Sequence, residues 1–273
     1  MNNNNTPLLI ASFWCSVIAG CGGGTETTET KPPEKTSFTL DITCDHHVLW
    51  GAPTLSEEVI PVCHNDYLIA YDVNAKIPRF TSHEVTVNEA LNYVDRENNF
   101  SADPLLPSTV VQATSSDYSY TGYDRGHMVP WGDTGILQDA LDTNVYSNVA
   151  PMLAAFNRGV WLKLENEIRA HSRDFGADLY VITGAISDAG IDKTDTVIGD
   201  NVEVPKGFYK IIIDRDSDKV GAYFIEQSTE SNELSTFSIS IDELESQSGI
   251  NFMPLLSPEQ EARYETSAAG FFE

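Results

Sequence analysis

Asp124-Arg125-Gly126-His127 is the run that most constrains this chain, because it joins a strand-like segment to a histidine beside a glycine. The strand-like segment, Tyr118 to Tyr123, leads directly into the run and predicts that the histidine lies on a turn after a strand. Gly126 permits a close approach of backbone to a ligand or metal. His127 titrates near neutral pH and is a natural general base, with a structural histidine at a turn as the alternative.

A polar stripe follows on a helix that the pattern predicts over 156–170. Asn157, Trp161, Glu165 and Arg169 recur at four-residue steps, and each step rotates by only about 40° around an α-helix. Such a stripe is not a core face, so it predicts the wall of a site, with Trp161 packing rather than reacting. A neutral amide oxygen on Asn157 suits Mg²⁺, because it leaves the ion its full charge. The alternatives are a helix N-cap for Asn157 and an exposed ion pair for Glu165 with Arg169.

Further motifs accompany these residues along the chain. They are Tyr120 to Pro130, Ser147-Asn148, Pro151, Asn157-Arg158-Gly159, Trp161 and Leu164-Glu165. Together they resemble the DNA/RNA non-specific endonucleases, a family that includes secreted bacterial nucleases and mitochondrial endonuclease G. The resemblance covers roughly Leu49 to Leu256. Three departures stand out, at Met152 (often Gln in the family), Ala185 (often Pro) and Arg79-Phe80 (a Trp-centred segment).

The resemblance implies a role for each matched side chain. His127 falls on the general base that activates water, Asn157 on the direct protein ligand of Mg²⁺, and Glu165 on the acid that holds the metal's waters. Arg169 and Asn148 fall near the phosphate and the histidine.

Three further residues are implied to support the site. Asp124 and Arg125 surround the catalytic side chains, and Arg96 lies in a segment that looks like the family's arginine segment. A guanidinium at Arg96 suits a phosphate clamp because its paired donors match phosphate oxygens. A solvated surface charge is the alternative for Arg96.

The implied reaction is hydrolysis of internal phosphodiester bonds in DNA and RNA to 5′-phosphate products. Mg²⁺ is the implied ion, one per site, with Mn²⁺ as a substitute. Contacts made mainly to phosphates would explain a low sequence preference. Two other classes stay open: a nuclease-like binding module that has lost catalysis, and a phosphodiesterase of nucleotides or short oligonucleotides. A homodimer stays open as the assembly.

The chain predicts an α+β fold, because its strands and helices do not alternate regularly. Strands are predicted over 66–72, 179–183, 208–214 and 220–225, and helices over 88–94, 156–170 and 241–246. Gly184 is expected to end the second of these strands, and residues 98–120 to form a long surface loop. The resemblance implies a ββα-metal (His-Me finger) nuclease fold, with a central antiparallel sheet flanked by helices.

The N-terminal residues predict export. Leu8 to Ala19 is an apolar run too short to span a bilayer, and small residues precede Cys21 as in a bacterial lipoprotein cleavage site. Met1 to Thr6 departs from the usual start of such a signal in having no Lys or Arg, and an ordinary signal peptide with an incidental cysteine is the alternative. The division is therefore a signal peptide over 1–20, a lipidated Cys21 with a polar linker over 21–37, and a nuclease domain over 38–273. The lipid is the one membrane contact expected, at the cell envelope, and an extracellular location is the alternative.

Cys44 and Cys63 are the cysteines left in the domain. A disulfide is the leading expectation in an exported protein, worth about 3 kcal/mol for a loop of this size. A zinc site with the neighbouring His46, His47 and His64 is the alternative.

Net charge opposes the nucleic-acid prediction. The chain has 41 acidic and 16 basic residues, a net charge of −25, whereas phosphate affinity normally comes from Lys and Arg. Screening limits the reach of distant charges to about 10 Å at 0.1 M salt. Catalysis is therefore expected to depend on a small, locally basic groove.

Overall fold

The computed structural model describes residues 42–92, 94–187 and 197–272. The predicted signal peptide, Cys21 and the linker lie outside the described residues, so export and lipidation stay predictions. Within the described ranges, no helix is both long and apolar enough to cross a membrane.

The strands form one large sheet and two small ribbons. They are β1 (Ile60–Cys63), β2 (Tyr67–Asp72), β3 (Ile77–Val85), β4 (Tyr123–His127), β5 (Val149–Leu153), β6 (Leu179–Ile186), β7 (Val197–Ile198), β8 (Val202–Glu203), β9 (Gly207–Asp214), β10 (Lys219–Glu226) and β11 (Ser238–Ile239). The large sheet has the order β1-β2-β3-β6-β9-β10-β11, and each neighbouring pair is antiparallel. The ribbons are β4-β5 and β7-β8.

The helices lie between these strands and after them. They are α1 (Val87–Leu91), α2 (Ser115–Tyr118), α3 (Leu137–Asp142), α4 (Ala154–Phe156), α5 (Leu162–Phe175), α6 (Ile241–Ser248) and α7 (Pro258–Tyr264). A π-helical turn, Asn157–Trp161, joins α4 to α5, and 3-10 helices span Ile42–His47, Trp131–Asp133, Tyr146–Asn148 and Leu234–Phe237. The α+β prediction is confirmed, as are all four predicted strands and, in shorter or longer form, the three predicted helices.

Both faces of the large sheet are buried, which explains why its central strands read as nearly continuous apolar runs. On β9, Phe208 and Ile212 pack in one hydrophobic cluster with α5, while Tyr209 and Ile211 pack in another with α6. Successive side chains of a strand point to opposite faces. The helices α5 and α6 therefore cover opposite faces of the sheet, and Lys210 points towards α5.

The segment before the Asp124–His127 run, residues 118–123, is not the strand that the sequence predicted. Tyr118 ends helix α2, and the run itself forms β4 with Tyr123. The backbone turns between them, with positive φ at Tyr120 (61°) and Gly122 (86°). The expectation of a strand over 118–123 was therefore wrong, because this segment contains a helix end and a turn.

The polar stripe is not one regular helical stripe either. Gly159 has non-helical angles (φ −106°, ψ −112°), and this kink lies between Asn157 and Trp161. Trp161 is fully buried and stacks with Phe156, as expected for a packing residue. The kink re-aims Asn157 relative to Glu165, and π-helical turns of this kind are frequent at functional sites.

Cys44 and Cys63 form the predicted disulfide, with their Cα atoms 5.7 Å apart. The neighbouring histidines have other partners: His47 Nε2 lies 3.3 Å from the His64 carbonyl oxygen, and His64 Nε2 lies 3.0 Å from Asp103. The zinc alternative was therefore wrong.

Gly184 does not end β6, as expected from the sequence, but lies inside it, paired with Phe80 and Tyr209. A Cβ atom at this position would overlap the ring and hydroxyl of Tyr209. The glycine therefore serves close packing between two central strands.

Replacing Gly184 by Ala is expected to lower the free energy of unfolding by about 1–3 kcal/mol, because the added methyl group displaces the fully buried Tyr209. Each kcal/mol corresponds to about 2–4 °C in Tm for a domain of this size. Thermal unfolding of Gly184→Ala, Tyr209→Leu and the double variant checks this. The double variant should cost less than the sum of the two single changes, and strict additivity would contradict the packing explanation.

Candidate active site

The β4-β5 ribbon carries the histidine. Gly126 pairs with Ala150 and His127 with Val149, so the Ser147-Asn148 motif lies directly beside the Asp124–His127 run. A Cβ at Gly126 would overlap the side chain of Met152, which is fully buried. Gly126 therefore makes room for a core side chain of the facing strand, and Met152, the departure from the family pattern, does not reach solvent.

His127 has a defined tautomer. Its Nε2 lies 2.9 Å from Asn144 Oδ1. The amide of Asn144 is itself oriented, since its Nδ2 donates to the Glu97 carbonyl oxygen at 3.0 Å. An amide oxygen only accepts, so His127 Nε2 carries the proton and Nδ1 keeps its lone pair.

His127 is also held neutral. Its side chain is 6% exposed, and its ring lies 5.2 Å from that of Phe100. Burial, with smaller contributions from the charges of Arg96 and Arg125, lowers the pKa of His127 to about 4 despite the opposing hydrogen bond with Asn144. At neutral pH the imidazole can therefore accept a proton.

Asn157 is oriented by the first residue of the run. Its Nδ2 donates to Asp124 Oδ2 at 3.0 Å, and Arg158 donates to both oxygens of the same carboxylate at 2.9 and 2.7 Å. This leaves Asn157 Oδ1 pointing away from Asp124, and no described residue donates a hydrogen bond to it. An oxygen so presented fits a hard cation such as Mg²⁺.

Glu165 lies in a buried cluster of charges beneath the site. Burial raises the pKa of Glu165 to about 7, against the opposing charges of Lys210 and Arg169. Lys210 is fully buried on β9, where its Nζ donates to Thr183 Oγ1 at 2.7 Å and lies 4.9 Å from the Trp161 ring centroid. A nearby divalent cation would favour the ionised form of Glu165.

Arg169 completes this cluster. Its guanidinium binds Asp133 and, at 2.8 Å, Asn166. Asp133 also lies 3.0 Å from His83 Nε2. Burial opposes ionisation of Asp133, but Arg169 and His83 lower its pKa to about 2. Arg169 is thus paired with Asp133, not with Glu165 as the ion-pair alternative expected.

Arg96 is exposed, and the backbone before and after it is held by hydrogen bonds from other parts of the chain. Trp131 Nε1 donates to the Val94 carbonyl oxygen at 3.1 Å, and Asn144 donates to that of Glu97. The charge of Arg96 lowers the pKa of both His127 and Glu165. The structure therefore places Arg96 close enough to His127 and Glu165 for its charge to act on both side chains.

Two other predicted residues have supporting positions. Asn148 is fully buried, accepts from the Val129 N–H and donates to the Val129 and Thr143 carbonyl oxygens, each at 3.0 Å. It fastens the backbone that follows His127 and makes no hydrogen bond to the imidazole. Arg125 lies with its guanidinium carbon 4.4 Å from the ring centroid of Phe100.

Sequence reasoning missed three members of the site: Asn144, Asp133 and Lys210. Asn144 and Asp133 carry no local signal, since each acts on a residue distant in the chain. Lys210 did carry one. It interrupts an apolar strand between Phe208 and Ile212, on the face that those residues bury.

Comparison with known proteins shows which proteins this chain resembles. A family model described as DNA/RNA non-specific endonuclease matches residues 51–259. Nuclease C1 of Cunninghamella echinulata var. echinulata is 34% identical over 206 residues, covering 70% of this chain and 81% of the relative. A nuclease of Nostoc sp. is 28% identical over 262 residues, covering 89% and 91%.

A solved structure supports the same relation. A chain in the crystal structure of the EndoG/EndoGI complex matches with a TM-score of 0.65 and 28% identity, over 73% of this chain and 88% of that chain. The large antiparallel sheet, the β4-β5 ribbon and the kinked helix form the expected ββα-metal nuclease fold. The chain belongs to the DNA/RNA non-specific endonuclease family and is a phosphodiester hydrolase of nucleic acids.

Proposed function

We propose that this nuclease is a Mg²⁺-dependent, sugar-non-specific endonuclease in which His127 is the general base and the products carry 5′-phosphates. The observation that carries the proposal is the pair of oriented amides. Asn144 leaves the lone pair of His127 on Nδ1, and Asp124 leaves Asn157 Oδ1 open. A proton acceptor and a metal ligand are thus both set before substrate binds, which is what catalytic preorganisation requires.

Each residue of the site has its own role in the proposed reaction. His127 Nδ1 takes a proton from the attacking water, and burial keeps the imidazole neutral for this step. Asn157 Oδ1 and, through water, Glu165 would hold the metal. When bound, Mg²⁺ polarises the phosphate and stabilises the leaving 3′ oxygen. Arg96 is exposed and free of hydrogen bonds to described residues, so it is the guanidinium best placed to bind a phosphate oxygen.

Arg169 has a different part in this proposal. Its Nη1 donates to Asp133 and its Nη2 to Asn166, while its positive charge lowers the pKa of Glu165. Together with Lys210 it opposes the rise in the pKa of Glu165 that burial causes, which favours the ionised carboxylate that accepts hydrogen bonds from metal-bound water.

His127→Ala is expected to lower Mg²⁺-dependent cleavage of plasmid DNA by about 10²–10⁴-fold, the usual contribution of a general base. EDTA should abolish cleavage by the unchanged chain. RNA and bis-p-nitrophenyl phosphate, assayed in parallel, separate the endonuclease from an enzyme of small phosphodiesters. Plasmid cleavage that resists EDTA, or that is unchanged in His127→Ala, would refute the mechanism.

Asn144→Asp is expected to move the acidic limb of the kcat/KM–pH profile to higher pH by about 1–3 units, because a carboxylate beside Nε2 favours the charged imidazolium. The unchanged chain should keep its activity down towards the pKa of His127, which burial and the nearby arginines lower to about 4. The control is Asn98→Asp, which adds the same charge at an exposed position. An acidic limb at the same pH in Asn144→Asp and the unchanged chain would contradict the assigned tautomer.

Asp124→Asn is expected to raise the Mg²⁺ concentration for half-maximal activity by about 10–100-fold, the usual cost of losing a residue that orients a metal ligand. Arg158→Ala is the matched control. It removes the exposed partner of Asp124 but leaves the hydrogen bond from Asn157 in place. Equal Mg²⁺ requirements in the two variants would show that Asp124 does not orient Asn157.

A further inference from the structure

A group of three carboxylates lies on the face of the sheet opposite the candidate active site. Asp242 is in the first turn of α6, Glu245 one turn later, and Glu265 directly after α7. One oxygen from each lies within 4.8 Å of the others. Helix α6 packs with Tyr209 and Ile211, whereas the active-site helix α5 packs on the other face.

Backbone hydrogen bonds join the segments that carry these carboxylates and hold one of the three. The Asp242 N–H donates to the Glu265 carbonyl oxygen at 3.1 Å, so the start of α6 and the end of α7 are joined directly. The Phe252 N–H donates to Glu245 Oε1 at 2.8 Å. Ser240 and Ser257 cap the two helices. The convergence therefore does not depend on flexible surface side chains alone.

Glu265 is the member of the group whose burial without a partner in the described ranges points to a bound ligand. Its side chain is only 6% exposed, yet no described residue donates a hydrogen bond to its carboxylate and no described basic side chain pairs with it. Arg263, two residues earlier, pairs with Asp218 instead. A buried carboxylate is normally paired, hydrogen-bonded or bound to a metal. Here its neighbours Glu245, Glu261 and Asp242 are acidic and add to the cost of burial.

We propose that Asp242, Glu245 and Glu265 bind one hard divalent cation, and that the ion is Ca²⁺. Carboxylate oxygens are the ligands that Ca²⁺ prefers, in a flexible coordination geometry, whereas Mg²⁺ demands a near-ideal octahedron and keeps several of its waters. Asp242 is exposed, which leaves one side of the site open to the waters that complete a coordination shell of about 6–8 oxygens.

The site would fasten the C-terminal segment to the sheet. Glu265 leads into Phe271, which is fully buried, and the Phe272 N–H donates to the Tyr223 hydroxyl at 3.0 Å. An ion shared between α6 and the residue after α7 neutralises three like charges at the point where this segment joins the core. The expected role is stability, independent of the proposed catalytic mechanism.

Thermal unfolding and calorimetric titration of the full chain with CaCl₂ test the proposal, after removal of metal with EDTA. One Ca²⁺ should bind at this site and raise Tm by about 5–10 °C at a concentration 100 times Kd. Because Ca²⁺ could also reach Asn157, the measurement is repeated in Asn157→Ala, where the shift should persist. Mg²⁺ at the same concentration should give a smaller shift.

Glu265→Gln should abolish the shift in the Asn157→Ala background, and without metal this variant should be at least as stable as its parent, because a buried charge is gone. Asp242→Asn, a change at an exposed position, should weaken Ca²⁺ binding by at least about tenfold while the chain stays folded. Glu259→Gln removes an exposed acid of α7 outside the group and should keep the full shift. An absent shift, a shift kept in Glu265→Gln and Asp242→Asn, or an equal response to Mg²⁺ would overturn the Ca²⁺ assignment.

Discussion

The burial of Lys210 is the constraint on which the site depends. Strand β9 is covered on both faces, so a charged side chain at its centre has no access to water and must be compensated by protein groups. Thr183 accepts one hydrogen bond, and the charges of Glu165 and Asp133 offset the ammonium. Asp133 in turn binds Arg169 and His83. One buried cation thus links β9, α5 and the segment after His127, and it sets the electrostatics of the carboxylate proposed to order the metal's waters.

The strongly acidic composition is compatible with nuclease chemistry because two carboxylates near the site are bound by other side chains. Asp124 is bound by Asn157 and Arg158, and Asp133 by Arg169 and His83. Arg96 and Arg125 act on His127 from the open side and from the β4-β5 ribbon. The net charge of −25 is a property of the whole chain, whereas two guanidinium groups lie close enough to His127 to lower its pKa. Long-range attraction of a polyanion stays weak, so substrate binding depends on short-range contacts within the site.

Much of the fold was predictable because its signals are local. Apolar runs over 66–72, 208–214 and 220–225 are strands in the structure, and Glu165 and Arg169 lie on helix α5 as predicted. The errors occur where distant residues decide the outcome. Gly184 resembles a strand terminator, but it lies inside β6 because Tyr209 occupies the space of its missing side chain. The segment before Asp124 resembles a strand, but a helix end and two positive φ angles turn the chain there.

The sequence by itself determined the chemical inventory of the protein: a histidine in a glycine-bordered run, an asparagine and a glutamate on the following helix, and a disulfide pair. These are properties of residue type and spacing, which local patterns report. Only the tertiary structure decided which nitrogen of His127 keeps its lone pair, which way Asn157 faces, and that Glu165 shares its environment with Lys210. Each of these depends on a partner from another part of the chain, at 144, 124 and 210 respectively. Such hydrogen bonds and charge pairs exist only after the sheet and helix α5 have packed together.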